Sequence, residues 1–294
     1  MSIGAGRTIP SGPTIRFVAT TGDALGRGRP ADGLTVAVLG LGEAGSAIAA
    51  DLVAAGVVVR GFDPLDLAVP GVVSCRDDAD ACIGCAVVVS LTCAHEAEGA
   101  LAAALPAMPR DAIYADLNTA SPGQKSALAA LAETAGLGFA DVALMAPVPG
   151  NGLRTPMLAA GPAAAQFAAL FTPLGASVEV LAGQPGTAAG RKLVRSVFYK
   201  GMAAAVTEAL RAAEAAGCAD WLRENIRHEL ASSSAATLDR LERGSVQHAV
   251  RRTDEMAAAA EMLAELGVPA RIATASEQWL RQLAAEQAAL DQRG

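Results

Sequence analysis

Residues 34–63 read LTVAVLGLGEAGSAIAADLVAAGVVVRGFD, and this stretch decides the fold. The apolar run 34–39 predicts a strand, 43–55 repeats at helical spacing, and 57–62 is apolar again. Between the first strand and the helix stands Gly40-Leu41-Gly42-Glu43-Ala44-Gly45, which fits G-x-G-x-x-G. In this strand–turn–helix setting the first glycine permits a tight turn. The second lets the backbone approach a pyrophosphate, and the third lets helix and strand pack closely. The helix N-terminus offers N–H groups and positive dipole to the phosphates. The next strand ends at Asp63, where a carboxylate hydrogen-bonds ribose hydroxyls and repels a 2′-phosphate. That predicts NAD in preference to NADP. A turn or cap role for Asp63 is the plainer alternative.

Outward from this unit the alternation continues. Strands are predicted at 71–74, 86–90, 112–116 and 138–142, with helices at 77–83, 94–105 and 121–135. Strands at 156–160 and 177–181 bracket a helix at 162–172. Uninterrupted apolar strands imply burial on both faces, as in a parallel sheet covered by helices. The class is a doubly wound α/β Rossmann domain. After Gly183 the pattern becomes wholly helical: one long helix over 190–216, then 219–231, 234–243, 246–266 and 270–290. The domains are read as a Gly- and Pro-rich extension at 1–33, a dinucleotide-binding domain at 34–185 and an all-helical substrate and dimerisation domain at 186–294. The extension has no acidic residue before Asp23, as a transit peptide would, but no clear amphipathic helix.

Composition excludes several classes. With a net charge of −7, general affinity for nucleic acid or an anionic membrane is not expected. The mean hydropathy of +0.34 raises membrane insertion. The apolar run 82–94 falls short of the roughly 20 residues a span needs. Other stretches are cut by Glu43, Asp51, Arg60 or Glu208. Five cysteines, without an apolar export segment, predict reduced thiols in a cytoplasm. Cys82-Ile83-Gly84-Cys85 closes a helix and precedes a strand, the reverse of a redox site, so it reads as packing. His95 and His228 read as structural or surface residues, and no metal site is expected.

Four segments carry a resemblance to the β-hydroxyacid dehydrogenase superfamily, which includes 3-hydroxyisobutyrate and 6-phosphogluconate dehydrogenases, with imine reductases as close relatives. The first is the glycine motif with Asp63. The second, Asp116-Leu117-Asn118-Thr119-Ala120-Ser121-Pro122, resembles D-x-S-T-x-S-P. It implies that Asn118 and Thr119 lie beside the nicotinamide ribose, with Ser90-Leu91-Thr92 as the loop covering the cofactor. Ser121-Pro122 also suits a helix N-cap. The third, Asp141 to Gly150, resembles D-A-P-V-S-G-G but lacks S-G-G. Met145, Pro147 and Val148 stand where the family contacts substrate, and make that loop more apolar and longer. The fourth, Gly186 to Ser196, resembles G-x-G-x-x-x-K-x-x-N-N and places Lys192 on the catalytic lysine. Arg195 and Ser196 replace its two asparagines.

The implied activity is hydride transfer between a nicotinamide and a small anionic hydroxy or oxo acid. The hydroxyl proton needs a positioned base. Lys192 is the candidate, its amine brought toward neutrality by desolvation and neighbouring cations, with Ser196 assisting. Lys192, Ser196 and Lys200 recur at i, i+4, i+8, on one helix face with Arg195 beside it. That face suits an anionic substrate end, although Arg195 and Lys200 equally suit a solvated face. His248, Arg251, Arg252 and Glu255 form a second such face, or a surface salt-bridge ladder. Glu255 falls where the family often has the Asp of a Lys–Asp pair, and Asp254 replaces the Lys. The long helix is Ala-rich on nearly all sides, which predicts cover by a second subunit in a homodimer. An imine reductase and a non-catalytic nucleotide-binding regulator are the rival readings.

Overall fold

Strand β1 (Thr35–Leu39) lies at the centre of an eight-stranded sheet. Val36 and Val38 point into one core, Ala37 and Leu39 into the other, and all four are fully buried. This two-residue alternation, with both faces apolar, is what a strand sandwiched between helical layers requires. β4 (Val87–Ser90) and β5 (Ile113–Asp116) repeat it: Val87, Val89, Ile113 and Ala115 face the first core, Val88 and Tyr114 the second.

The first core is closed by α1 (Glu43–Ala54) and α5 (Ala164–Phe171), through Ile48, Leu52, Phe167 and Phe171. The second is closed by α2 (Asp78–Cys82), α3 (Ala97–Ala104) and α4 (Pro122–Thr134), through Cys82, Leu101 and Leu128. Each such large side chain contributes roughly 1.5–3 kcal/mol by leaving water. α4 begins where predicted: Ser121 is its N-cap, accepting the Gln124 N–H at 3.2 Å, and Pro122 occupies the first turn.

With β2 (Val58–Phe62), β3 (Val73–Ser74), β6 (Gly138–Leu144), β7 (Met157–Ala160) and β8 (Val178–Val180), the strand order is β3-β2-β1-β4-β5-β6-β7-β8. The Rossmann class is correct, but the sheet is mixed rather than parallel. β7 runs antiparallel to β6, with Asp141 opposite Ala160 and Leu144 opposite Met157. The connection explains the reversal. It holds only a one-turn 3-10 helix (Gly152–Arg154), and the Val148 carbonyl accepts the Asn151 and Gly152 N–H groups in a turn. Without a crossover helix the chain returns beside the strand it left.

The structure describes residues 33–292 of this computed structural model. The extension read at 1–33 lies, but for Gly33, outside the described residues. The chain divides into two compact units, one through Ala189 and one from Gly190. The second is all-helical: α6 (Thr187–Ala215, which starts in the first unit), α7 (Ala219–Ser232), α8 (Ala235–Gln247), α9 (Ala249–Glu265) and α10 (Arg271–Asp291). Gly217, at φ +73°, ends α6 in the left-handed conformation of a C-cap glycine. Among the described residues no helix is long and apolar enough to cross a membrane.

Candidate functional site

The glycine motif forms the turn from β1 into α1. Gly40 has φ +88°, and a Cβ there would lie 2.5 Å from the Leu91 carbonyl oxygen. At Gly45 a Cβ would lie 1.9 Å from the Gly40 carbonyl oxygen. Neither position admits a side chain. Gly42 differs: it is the N-cap of α1, contributes no side-chain cap, and a Cβ there would meet open space. The start of α1 thus presents main chain, with its positive dipole, to that space, which fits a phosphate. Glu43 is exposed, Ala44 half-buried and Leu41 buried in the first core.

Asp63 stands at the end of β2, against this turn. Its Oδ2 accepts the Leu41 N–H at 2.7 Å and its Oδ1 accepts the Leu65 N–H at 2.9 Å. The carboxylate braces the loop, and each oxygen keeps a second lone pair. Arg60, on β2, is committed elsewhere. Its guanidinium donates to the Asp80 carbonyl at 2.7 Å and pairs with Asp80 Oδ1 at 3.2 Å.

The ends of β4 and β5 supply a polar cluster. Ser90 is fully buried and Asn118 nearly so. The Asn118 amide donates to Asp116 Oδ1 at 2.6 Å, Ser90 Oγ at 3.0 Å and Thr92 Oγ1 at 3.3 Å. Its own oxygen, Oδ1, is buried with no protein partner. A buried acceptor left without a donor is costly, so this atom suits a bound donor. Leu91 lies between the cluster and Gly40. The glycine turn, Asp63, 90–92 and Asn118 therefore meet at the carboxyl ends of β1, β2, β4 and β5. β1 and β4 flank the point where strand order reverses, the ligand crevice of open α/β sheets.

A group that the sequence reading missed lies beneath. Lys125 is fully buried on α4. Its Nζ is 2.7 Å from Asp116 Oδ2 and 3.4 Å from Asp141 Oδ1, and it donates to the Asp116 carbonyl at 2.7 Å. Both aspartates are themselves fully buried. Asp141 Oδ2 accepts the N–H groups of Gly186 and Ala189 at 2.9 and 3.1 Å, at the start of α6. The available signal was Lys125 on the buried stripe of α4, with Leu128 and Ala132.

The loop after β6 is pinned to α1. Asp51, on α1, accepts the Leu153 N–H at 2.8 Å through Oδ2, and Gly152 packs so closely that a Cβ would lie 2.0 Å from that oxygen. Of the loop residues expected at the substrate, Met145 is half-buried, Pro147 exposed and Val148 buried in the first core.

On α6, Lys192 and Ser196 are half-buried and Lys200 is exposed. The unbroken helix sets these three on one face. Arg195 lies over the Tyr199 ring, 4.1 Å from its centroid, a cation–π contact. In the second face, His248 is exposed between α8 and α9. Arg251 and Glu255 pair with each other. Arg252 donates to Ser245 Oγ at 3.2 Å. Thr119 is exposed. Cys82 and Cys85 are buried; burial pushes the Cys82 thiol far above its ordinary range and the Cys85 thiol to about 11. Such thiols are protonated packing groups. Among the described residues, no group of three or more His, Cys, Asp or Glu is arranged to hold a metal.

Comparison with known proteins places this geometry. Residues 35–179 match the NAD binding domain of 6-phosphogluconate dehydrogenase, and residues 213–283 match a domain of unknown function, DUF1932. No curated protein matches the chain. A conserved hypothetical protein from Sinorhizobium meliloti 1021 is 28% identical, covering 86% of this chain and 89% of its own, with a TM-score of 0.56. A conserved protein of unknown function, described as structurally similar to 3-hydroxyacid dehydrogenases, is 29% identical over 85% of this chain and 96% of its own, with a TM-score of 0.54. The imine reductase of Streptomyces aurantiacus, at 19% identity, covers 84% of this chain and 93% of its own with a TM-score of 0.69, which speaks to fold. Residues 35–179 are thus similar to the NAD binding domain of 6-phosphogluconate dehydrogenase, and the chain shares its fold with proteins of the dehydrogenase and reductase kind.

Proposed function

We propose that the protein is an NAD-dependent oxidoreductase that moves hydride between a nicotinamide and a small anionic hydroxy or oxo acid. The observation that carries the reading is the junction of the glycine turn, Asp63, 90–92 and Asn118 at the reversal of strand order. The main chain of Gly42, Glu43, Ala44 and Gly45 takes the dinucleotide phosphates, Gly40 and Leu41 shape the turn with their N–H groups on Phe62 and Asp63, and Asp63 holds the ribose. Ser90, Leu91, Thr92, Asn118 and Thr119 line the nicotinamide end, with the unpartnered Asn118 Oδ1 ready for a donor. The preference for NAD rests on Asp63 and on the commitment of Arg60 to Asp80, which leaves that arginine engaged away from a 2′-phosphate.

A bound nicotinamide supplies the carbon that takes or gives hydride. The proton is the task of the chain. Lys192 removes it from the substrate hydroxyl, or in reduction polarises the carbonyl as an ammonium and returns it. Ser196, one turn on, hydrogen-bonds the same oxygen. Arg195, Lys200, His248 and Arg251 are the candidates for the anionic end, with Glu255 paired to Arg251; Met145 and Pro147 are further substrate candidates, and Val148, buried in the first core, packs instead. A homodimer completes the second unit. Val194, Val197, Phe198 and Met202 of α6 are exposed. An apolar cavity of about 530 Å³ lies among Ala212, Trp221, Met262 and Leu263. A reducing cytoplasm suits the free cysteines.

Fluorescence titration with NADH and NADPH tests the cofactor half. NADH is expected to bind about tenfold or more tightly than NADPH, a difference of about 1.4 kcal/mol. The reverse order would remove Asp63 from its role. A hydroxy-acid panel then tests the chemistry, with Lys192→Ala expected to lower turnover by roughly 10²–10⁴. The second reading, imine reduction, is favoured by the apolar 145–149 loop. Turnover of cyclic imines without turnover of hydroxy acids would establish it.

A further inference from the structure

The buried charges at 116, 125 and 141 have no part in the chemistry above, yet they link Asn118 to the start of α6. Starting at Thr92 and Ser90, hydrogen bonds run to the Asn118 amide and on to Asp116 Oδ1. The other oxygen of Asp116 meets Lys125 Nζ at 2.7 Å, and Lys125 meets Asp141 Oδ1 at 3.4 Å. Asp141 Oδ2 takes the Gly186 and Ala189 N–H groups. Asp116, Lys125 and Asp141 all have zero exposure.

Two carboxylates flanking one ammonium leave a net negative charge in a dry core, a costly arrangement unless it is hydrogen-bonded. Each carboxylate has its compensation, and the compensating groups matter. On one side they are the amide and N–H of Asn118, at 2.6 and 3.4 Å. On the other they are main-chain donors at the start of α6, where the helix dipole is positive. Lys125 touches both carboxylates.

We infer that Lys125 is a positioning residue for the proposed site: it fixes, through Asp116, the orientation of Asn118 and, through Asp141, the first turn of the helix that carries Lys192. The inference rests on the cofactor reading above, since Asn118 is taken there as a nicotinamide-side group.

The test needs no substrate. NADH affinity by fluorescence and amide hydrogen exchange at Gly186 and Ala189 are measured in the full-length wild type and in Lys125→Met. The expected result is both a loss of NADH affinity of about tenfold and an acceleration of exchange at Gly186 and Ala189 of about tenfold beyond that in Leu128→Ala, a core variant on the same helix that lowers overall stability and leaves the buried charges in place. General destabilisation would give Leu128→Ala the same two losses, and that result overturns the inference. So does a folded variant with wild-type NADH affinity or wild-type exchange at the start of α6. If Lys125→Met does not fold, Asp116→Asn serves. It keeps shape but removes the nearer anchor, so the ammonium recentres on Asp141. Exchange at Gly186 and Ala189 should then change about threefold or more; no change there overturns the inference. Wild type that binds neither NADH nor NADPH defeats the cofactor reading instead, a result distinguishable from wild type that binds while Lys125→Met behaves identically.

Discussion

At the scale of single residues, the site is governed by a few atoms that cannot be exchanged. Gly45→Ala would set a methyl 1.9 Å from the Gly40 carbonyl oxygen, so turn and helix must part. NADH affinity is expected to fall about tenfold or more, which a fluorescence titration would read. Lys125→Met leaves two buried carboxylates without their cation, at a cost of about 3–5 kcal/mol, measurable by urea unfolding. A loss under about 1 kcal/mol would show that the two carboxylates do not depend on the cation. These two positions show what was legible. Gly45 was readable because its requirement is local and tied to a strand–turn–helix pattern. Lys125 was not, because a lysine on a helix face reads as solvated. Its partners stand 9 residues before and 16 after it, so only the folded sheet brings them together. Asp51 was passed over for the same reason: its acceptor role depends on Leu153, 102 residues away.

At the scale of elements, hydrophobic period located the strands and helices to within a few residues, because helical layers cover both faces of the sheet. Strand direction was a different matter. Whether β7 continues or reverses depends on what the 145–156 connection builds, and a one-turn 3-10 helix carries little periodicity. The helical unit offers a prediction of its own. Glu208 on α6 caps α10: Oε2 accepts the Arg271 and Ile272 N–H groups at 2.6 and 2.8 Å, and Oε1 accepts that of Ala273 at 2.8 Å. Desolvation raises the carboxyl pKa, but these three bonds outweigh it and hold the group below its ordinary 4.5. A lowered folded pKa means stability that is complete above the unfolded value and is lost as pH falls through the folded one. Glu208→Ala should cost about 1 kcal/mol at neutral pH, and the gap from wild type should close in acid. Denaturant melts at pH 7 and in acid would show it; a gap that persists unchanged in acid would assign it to packing instead.

At the scale of the whole molecule, the apolar residues left on α6 lead to a prediction of assembly. Phe198 is 55% exposed and Val197 77% exposed, next to Tyr199 and Met202. Sedimentation should find a dimer, and Phe198→Glu should weaken it by about a hundredfold or more, as burial of an unpaired charge would. A wild-type monomer would instead assign these side chains to another partner. The sheet has a further consequence, for behaviour at high concentration. Its outermost strands, β3 and β8, are two and three residues long. So few free main-chain groups give an incoming segment almost nothing to zip onto, while the longer apolar strands β1, β4 and β5 are fenced on both sides. Fibrous or amorphous aggregation of this protein should therefore require prior opening of the sheet. Its onset on heating should follow the loss of native structure rather than protein concentration alone.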